Sequence, residues 1–215
     1  MIPKRKSSVK NVIDEILIIN EKYNSLEIVD DTFFADRNRA ENIFNEIIDN
    51  GIEFEIYLLG VRIDDINRDI CIKMKKAGVK YFEFGIESGN QDVLNFYDKR
   101  ITLNQIEKNI QLAHDMGFIT LGNFILGAPI ETKKHIEKTI KFACSLPINY
   151  VQFHPLGYQK GSKLWEDLLR DNRINEDEYT VISSPKRGIG NFEHKQLIRY
   201  CKKAYRKFYL YKHIF

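Results

Sequence analysis

The chain is poor in cysteine, with only three such residues among 215. Cys71, Cys144 and Cys201 lie far apart, which excludes a disulfide framework and a local cysteine-rich metal knuckle. Each falls on the apolar stripe of an expected helix, so we expect small buried side chains at all three positions. We therefore expect none of them to bind a metal.

Long apolar runs and an excess of charge of one sign are also lacking. No run approaches the roughly 18 apolar residues of a membrane-spanning helix, and Met1–Lys6 has no apolar signal core behind its charges. The net charge of +3 is by itself no nucleic-acid footprint. We therefore expect a cytoplasmic protein with no direct nucleic-acid or membrane signal.

One basic tract lies near the C-terminus, where Lys202–Lys207 is interleaved with aromatic residues such as Tyr205, Phe208 and Tyr209. Such a tract suits a nucleic-acid or membrane-binding stripe. The commoner explanation, which we expect here, is a helix that packs its aromatic side chains on the fold and exposes its lysines.

The composition is that of a globular domain. Apolar residues make up 43% and charged residues 29%, which excludes a disordered tail. A pattern repeats along the chain: a charged helical segment ends in glycine, and a short apolar run follows, at Gly51, Gly78 and Gly117. Glycine closes a helix in the left-handed conformation, and β-branched and aromatic residues favour strands, so the spacing fits successive βα units.

Helices that alternate with about five strands predict an α/β fold with a parallel sheet. We expect an incomplete (βα) barrel, similar to part of a TIM barrel, with a C-terminal helix; an open doubly wound sheet is the alternative. We assign residues 1–170 to the barrel and residues 171–215 to a loop and helical extension packed on it. Active-site residues of such barrels lie at the C-terminal ends of the strands.

Five segments resemble one enzyme family in their order and spacing. Ala77–Gly89 is similar to the fourth strand and following loop of radical S-adenosylmethionine (SAM) enzymes, and Asn123–Thr132 to the fifth strand and its turn. Leu26–Phe33 resembles the second strand and Tyr150–Phe153 the sixth. Ala204–Leu210 is similar to the terminal helix of the branch that carries a cobalamin-binding domain.

The resemblance implies a six-stranded partial (βα) barrel that binds SAM and a four-iron, four-sulfur (4Fe-4S) cluster. The cluster would cleave SAM reductively, giving a deoxyadenosyl radical that abstracts hydrogen from an unactivated C–H bond. The family's Cys-x-x-x-Cys-x-x-Cys loop, which holds three of the irons, has no counterpart here. We therefore expect this chain alone to be inactive and an N-terminal companion segment or chain to supply the cluster. The resemblance implies cobalamin as a possible further cofactor of the full-length members of the family. The expected substrate is a small or lipid-like molecule, which the sequence does not identify.

The acidic pair after the first expected strand is a candidate for binding SAM. Asp30 or Asp31 would accept hydrogen bonds from the SAM ammonium, with an Asx turn or helix cap as the alternative. Arg62 has a planar fork that suits a carboxylate, so it would hold the methionyl carboxylate or Glu87, or else form a surface ion pair.

Glu87 and Ser88 close the third expected strand, where the resemblance places contacts to the polar groups of SAM. A charged Glu87 without a partner in an apolar core would be costly, which favours a position at the site.

The next strand leads into a turn that would bring the backbone close to the adenine. Asn123 belongs to this strand, Ile125 would form an apolar wall, and Gly127 and Pro129 would form the turn. Ordinary strand-to-helix turn chemistry explains these residues nearly as well. Ile130 stands where the family commonly has glycine.

Phe153 and His154 end the last expected strand, and we include both in the SAM site. His154 would be a proton-transfer group or, as the commoner case, a hydrogen-bonded structural histidine.

Two other functions stay open from the sequence. The chain would be a degenerate, non-catalytic barrel that binds a nucleoside-like ligand, or a partner protein at the unpaired edge of its first strand. The third hypothesis is an ordinary barrel enzyme with Glu87 and His154 as acid and base.

Overall fold

The structure is a computed structural model that describes residues 7–30 and 32–212, so the expected site residue Asp31 lies outside the described residues. The strands are β1 Ser25–Ile28, β2 Glu55–Val61, β3 Val79–Glu87, β4 Ile119–Leu126, β5 Tyr150–Pro155, β6 Gly157–Gln159 and β7 Thr180–Ile182. The helices are α1 Val9–Asn20, α2 Arg37–Asp49, α3 Arg68–Lys76, α4 Gln91–Phe96, α5 Leu103–Asp115, α6 Lys133–Ser145, α7 Lys163–Arg170 and α8 His194–Lys212.

The main sheet has five strands in the order β1-β2-β3-β4-β5. The pairing of β1 with β2 is parallel and places Leu26 opposite Ile56, and β2 pairs with β3 in the same sense. At least one helix connects each strand to the next, as parallel pairing requires. The prediction of an α/β fold with about five parallel strands and a C-terminal helix is confirmed.

Side chains at the helix starts explain where the helices begin. Asp36 caps α2, because its carboxylate accepts a hydrogen bond from the Arg39 N–H at 3.1 Å. Before α5, the Gln105 N–H donates to Thr102 Oγ1 at 3.2 Å and the Thr102 N–H donates to Gln105 Oε1 at 2.8 Å. This reciprocal pair is the capping box that the sequence predicts.

The chain divides into two compact units. The first comprises Met1–Gly85, Glu107–Leu121 and Pro147–Asn149, and the second comprises Ile86–Ile106, Gly122–Leu146 and Tyr150–Phe215. Strands β1 and β2 lie in the first unit and β5 to β7 in the second, whereas β3 and β4 contribute residues to both. The expected division at residue 170 stays a prediction.

In the first unit, α2 buries one apolar stripe. Ala40, Ile43, Phe44 and Ile47 are all buried at the spacing of one helix face, and the helix packs against α1 and α3. The periodicity of the sequence predicts this face correctly.

The second unit contains a small antiparallel sheet that the sequence analysis missed. Strands β6 and β7 pair antiparallel, with Tyr158 opposite Val181. Their core is a cluster of apolar side chains: Leu156, Tyr158, Trp165, Leu168, Ile174, Val181 and Ile189. The loop expected at the start of residues 171–215 therefore includes the strand β7 and contributes Ile174, Val181 and Ile189 to a core.

Among the described helices, none combines the length and the apolar character needed to cross a bilayer.

The turn before β3 tolerates only glycine at position 78. Gly78 has φ +91°, and a Cβ there would overlap the carbonyl oxygen of Phe54, whereas Gly51 has φ +62° and nothing within 4 Å of its Cβ position. We expect Gly78→Ala to lower the free energy of unfolding by at least about 2 kcal/mol more than the matched Gly51→Ala variant, because only the first adds a backbone clash. Urea denaturation measures both, and equal losses would contradict the close approach.

Candidate functional site

In the second unit, β5 and the part of β4 from residue 122 onward have side chains on two different faces. The rings of Phe124 on β4 and Phe153 on β5 stack with centroids 5.2 Å apart, and both residues are buried. Side chains alternate along a strand, so Asn123, Ile125 and His154 lie on the opposite, less buried face. Three of the residues expected at the site thus share one face of these two strands.

Phe153 belongs to the core rather than to that face. Its ring contacts the Tyr205 ring of α8 edge-on at 5.6 Å, and its backbone N–H donates to the Tyr205 hydroxyl oxygen at 3.0 Å. The structure therefore gives Phe153 a packing role between β5 and α8.

His154 is exposed and hydrogen-bonded. Its Nε2 lies 2.9 Å from Oε1 of Gln152, the neighbour two positions back on the same strand face. This contact is the structural role that the sequence analysis gives as the commoner case, and a part in proton transfer stays a prediction.

Glu87 ends β3 in a backbone conformation that residues other than glycine rarely adopt. Its φ is +65°, in the left-handed region, and its side chain is 14% exposed. Its Oε1 lies 2.8 Å from Nζ of Lys99, an ion pair that the sequence analysis missed. A left-handed backbone costs an ordinary residue about 1–2 kcal/mol, and such strain clusters at functional sites.

Two expected residues lie in the first unit with local partners. The Arg62 guanidinium makes a bidentate contact with the Asp64 carboxylate at 2.9 and 2.8 Å, and this hydrogen bonding raises the pKa of Arg62. The Asp30 carboxylate accepts a hydrogen bond from the Thr32 N–H at 2.9 Å, which is an Asx turn. In both cases the local alternative describes the contacts, and binding to SAM stays a prediction.

Ser88 is fully buried, and its hydroxyl has protein partners. Ser88 Oγ lies 3.1 Å from Thr139 Oγ1 of α6 and accepts a hydrogen bond from the Asn90 N–H at 3.2 Å. Thr139 Oγ1 also accepts from the Gly89 N–H at 3.1 Å and from Asn90 Nδ2 at 3.0 Å. This network attaches the loop after β3 to α6, so the visible role of Ser88 is to position that loop.

A buried carboxylate closes the turn after β4. Glu131 has no exposed surface, and its Oε2 accepts hydrogen bonds from the Gly127 N–H at 2.5 Å and the Ala128 N–H at 2.8 Å. Asn191 adds a second brace, since its Nδ2 donates to the carbonyl oxygens of Pro129 at 2.6 Å and Glu131 at 3.0 Å. The sequence predicts the turn but not these two braces.

Glycine is the residue type that fits position 127 in this turn. Its φ is +106°, and a Cβ would lie 2.5 Å from a methyl carbon of Leu197 on α8. The turn therefore combines a left-handed backbone with a close approach to a helix.

Five buried polar atoms of the second unit have no hydrogen-bond partner among the described residues. They are Asn123 Oδ1, Glu131 Oε1, His194 Nδ1 and the hydroxyl oxygens of Tyr97 and Tyr158. Burial raises the pKa of Tyr97, and the charges of Glu131 and Glu87 raise it further; burial also raises the pKa of Tyr158 to about 12. Buried polar groups nearly always have partners, so these atoms fit a polar ligand or ordered water.

Apolar surface lies next to these groups. Ile125 and Tyr97 are half-buried and pack against the cluster formed by β6, β7 and α7. An apolar wall with a few polar atoms around it is the arrangement that small-molecule sites usually have. Its polar atoms suit the amine, hydroxyl and ammonium groups of SAM.

The cysteines do not form a metal site. Cys71, Cys144 and Cys201 lie on α3, α6 and α8, and burial raises the pKa of Cys71 and Cys201 to about 11, which keeps both as thiols. Within residues 7–30 and 32–212, no three His, Cys, Asp or Glu side chains converge as metal ligands would. These residues do not fit an iron–sulfur cluster.

The sequence matches one protein-family model over most of its length. The model of the radical SAM superfamily matches residues 1–143, about two thirds of the sequence. The chain belongs to the radical SAM superfamily. The resemblance inferred from the strand and turn motifs is thereby confirmed.

Two of the proteins to which the chain is similar are named as methyltransferases. The chain is 35% identical over 211 residues to an uncharacterized methyltransferase of Pyrococcus horikoshii, covering 96% of this chain and 46% of that protein. It is 24% identical to cytidylyl-2-hydroxyethylphosphonate methyltransferase of Streptomyces wedmorensis, covering 87% and 36%. The chain spans less than half the length of these relatives.

A solved structure shows the same fold. The radical SAM methyltransferase TsrM of Kitasatospora setae, solved with cobalamin and a [4Fe-4S] cluster bound, matches with a TM-score of 0.66 at 15% identity. The match covers 72% of this chain and 32% of TsrM.

Replacing Glu131 by glutamine should change how stability depends on pH. Burial raises the pKa of Glu131 above its ordinary value of 4.5, so the folded state holds this proton more tightly than the unfolded chain. Protonated Glu131 therefore contributes its full share of stability below the pKa that it has in the unfolded chain. This stability is lost as the pH rises through the higher pKa of Glu131 in the folded state. Glu131→Gln keeps an acceptor oxygen but cannot ionise, so we expect the wild type to lose stability relative to this variant between about pH 5 and pH 8.

Urea denaturation at the two pH values measures this difference. Glu166, exposed on α7, provides the matched control, and Glu166→Gln should follow the wild type. A constant difference between wild type and Glu131→Gln at both pH values would contradict the burial of an ionisable carboxyl group.

Proposed function

We propose that this chain is the SAM-binding part of a radical SAM enzyme and that SAM binds at the C-terminal ends of β3 and β4 in the second unit. The observation that carries the proposal is the unpartnered Asn123 Oδ1 beside half-buried Ile125, in the same unit as the strained Glu87 and its partner Lys99. These groups match the mixed chemistry of SAM, which has a charged amino acid end, a ribose diol and a flat adenine.

Each group has a role in this proposal. The Glu87 carboxylate and Asn123 Oδ1 accept hydrogen bonds from hydroxyl or ammonium groups, and Lys99 keeps the Glu87 carboxylate in place. Ile125 contacts the adenine through its apolar side chain. The Gly127 N–H already donates to Glu131, so it does not donate to SAM. In this proposal the turn instead lets the backbone come close to the adenine.

SAM and an iron–sulfur cluster, when both are bound, supply the radical chemistry that activates a C–H bond. The described residues bind and orient SAM, and a companion segment supplies the cluster. Methyl transfer is the reaction class to test first, because two of the relatives are methyltransferases.

The edge of β1 is the proposed place for the companion segment. β1 ends the strand order, and a groove of about 320 Å³ beside it is lined largely by apolar side chains such as Ile16, Ile19 and Leu26. Val29, just after β1, is 76% exposed. Exposed strand edges pair readily with further strands, so we propose that the companion segment adds a strand to β1.

Variants of Glu87 test the SAM site. Glu87→Gly removes the carboxylate but also relieves the strain of a left-handed glutamate. We expect its free energy of unfolding to equal that of the wild type or to exceed it by about 1 kcal/mol, while SAM affinity falls about tenfold or more. Isothermal titration calorimetry and urea denaturation measure the two quantities on the same protein.

Asn172→Gly is the matched control for this experiment. Asn172 is exposed and has φ +54°, so its replacement by glycine relieves backbone strain away from the proposed contacts. We expect SAM affinity to stay unchanged in this variant. Equal SAM affinity of wild type and Glu87→Gly would refute the proposed site.

Cluster reconstitution tests the role of the companion segment. We expect the 215-residue chain, given iron and sulfide without oxygen, to stay colourless, because its cysteines are dispersed over three helices. A variant with alanine at Cys71, Cys144 and Cys201 should give the same background absorbance. A stable brown cluster on the wild-type chain, lost in that variant, would show that the described cysteines do bind iron.

A further inference from the structure

Positive charge is concentrated on two neighbouring helices of the second unit. α6 and α8, of 13 and 19 residues, together contain eleven lysines and arginines and one acidic residue, Glu137. The whole chain has a net charge of only +3, so the rest of it is net negative. The net charge of the whole chain therefore does not show that α6 and α8 are strongly basic.

The two helices place these cations on one exposed surface, which we call the basic face. α6 packs against α8, and the apolar side of α8 is buried through Leu197, Cys201, Ala204 and Phe208. The exposed cations of α8 include a row formed by Lys195, Arg199, Lys202 and Arg206, and those of α6 include Lys134, Lys138 and Lys141. Spacings of three and four residues put successive cations of this α8 row about 4.5–6 Å apart along the helix axis.

The charges of the basic face are hardly compensated within the protein. Lys133 and Lys203 both lie 4.0 Å from Glu137 Oε1, which is a long distance for an ion pair. Across the part of the chain that the structure describes, the four α8 cations Lys195, Arg199, Lys202 and Arg206 form no ion pair. A partner with closely spaced negative charges would therefore gain the full attraction of these side chains.

The structure favours one class of partner. A helix that binds a membrane surface needs an apolar side free to enter the bilayer, and the apolar side of α8 is buried in the fold. A stable protein interface needs several exposed aromatic or apolar anchors, but Phe208 is buried and the Tyr205 hydroxyl accepts a hydrogen bond from β5. Leu210, near the end of α8, is 58% exposed, but one apolar side chain is too little for such an interface. A phosphodiester backbone needs only cations.

We infer that the basic face binds the phosphate backbone of a nucleic acid, without base preference. Base recognition would need exposed aromatic rings or amide side chains at this surface, and its exposed groups are chiefly lysine and arginine. This inference does not depend on the SAM site. It revises the expectation of no nucleic-acid signal, which rested on the charge of the whole chain and on a C-terminal helix that merely exposes its lysines.

A charge-matched pair of variants tests the inference. The first carries Lys195→Gln, Arg199→Gln, Lys202→Gln and Arg206→Gln; the control carries Lys22→Gln, Lys76→Gln, Lys80→Gln and Lys108→Gln, which are exposed lysines of the first unit. Both lose the same charge. Fluorescence anisotropy with a labelled, mixed-sequence, single-stranded RNA of about 20 nucleotides measures binding as a function of salt.

We expect the wild type and the control to bind this RNA at about 50 mM salt, with affinity that falls steeply as salt is added. The α8 variant should bind about tenfold or more weakly, and its slope of log K against log salt should be shallower by about 3, since each phosphate contact on a single strand contributes about 0.7. Thermal melts should show that both variants are folded.

Three results would overturn the inference. One is no RNA binding by the wild type at about 50 mM salt, and another is an equal loss in both variants. The third is α8-dependent binding to phosphatidylserine vesicles without RNA binding, which would assign the basic face to a membrane surface instead.

Discussion

A carboxylate without contact to solvent holds the turn after β4, and the proposed site depends on it. Burial of Glu131 costs free energy, and the pKa of its side chain is raised for that reason. The compensation comes from two backbone N–H donors of Gly127 and Ala128, which point at the same oxygen. Without this pair of bonds, the N–H groups of Gly127 and Ala128 would lose their partner, and the Asn191 side chain would be left to brace the turn at Pro129 and Glu131.

The second unit keeps several features that a purely structural domain would not need. Glu87 has a left-handed backbone, and Asn123, Tyr97 and Tyr158 each keep a buried polar atom without a hydrogen-bond partner among residues 7–30 and 32–212. Strained backbone and unpartnered buried polar atoms occur most often where a protein binds a ligand or catalyses a reaction. These unfavourable features therefore indicate a binding site at the ends of β3 and β4. The buried network of Ser88, by contrast, is fully satisfied and serves the fold.

Sequence predicts the parts of this structure that depend on short-range chemistry. The caps at Asp36 and Thr102 and the alternation of helix and strand follow from neighbouring residues. The partner of Glu87 did not follow, because Lys99 reaches it across a loop and a short helix, and Arg62 instead takes the nearby Asp64. The β6–β7 sheet was not predicted, because a strand of three residues is too short to show the alternation of apolar and polar residues that indicates a strand.

Strand alternation explains the other differences at the candidate site. Phe153 and His154 are adjacent near the end of β5, so their side chains lie on opposite faces of the strand. Only His154 therefore shares a face with Asn123 and Ile125. The sequence does not single out Glu131, since nothing around it shows that its carboxylate turns back to two N–H groups. Contacts of this kind depend on packing rather than on local pattern.

Hydrogen exchange of the backbone amides, measured with and without SAM, tests the central claim most directly. If SAM binds at the ends of β3 and β4, exchange should slow at residues 86–99 and 122–131 and stay unchanged in α1 and α2. Unchanged exchange at 86–99 and 122–131 under saturating SAM, or protection confined to other segments, would contradict the account.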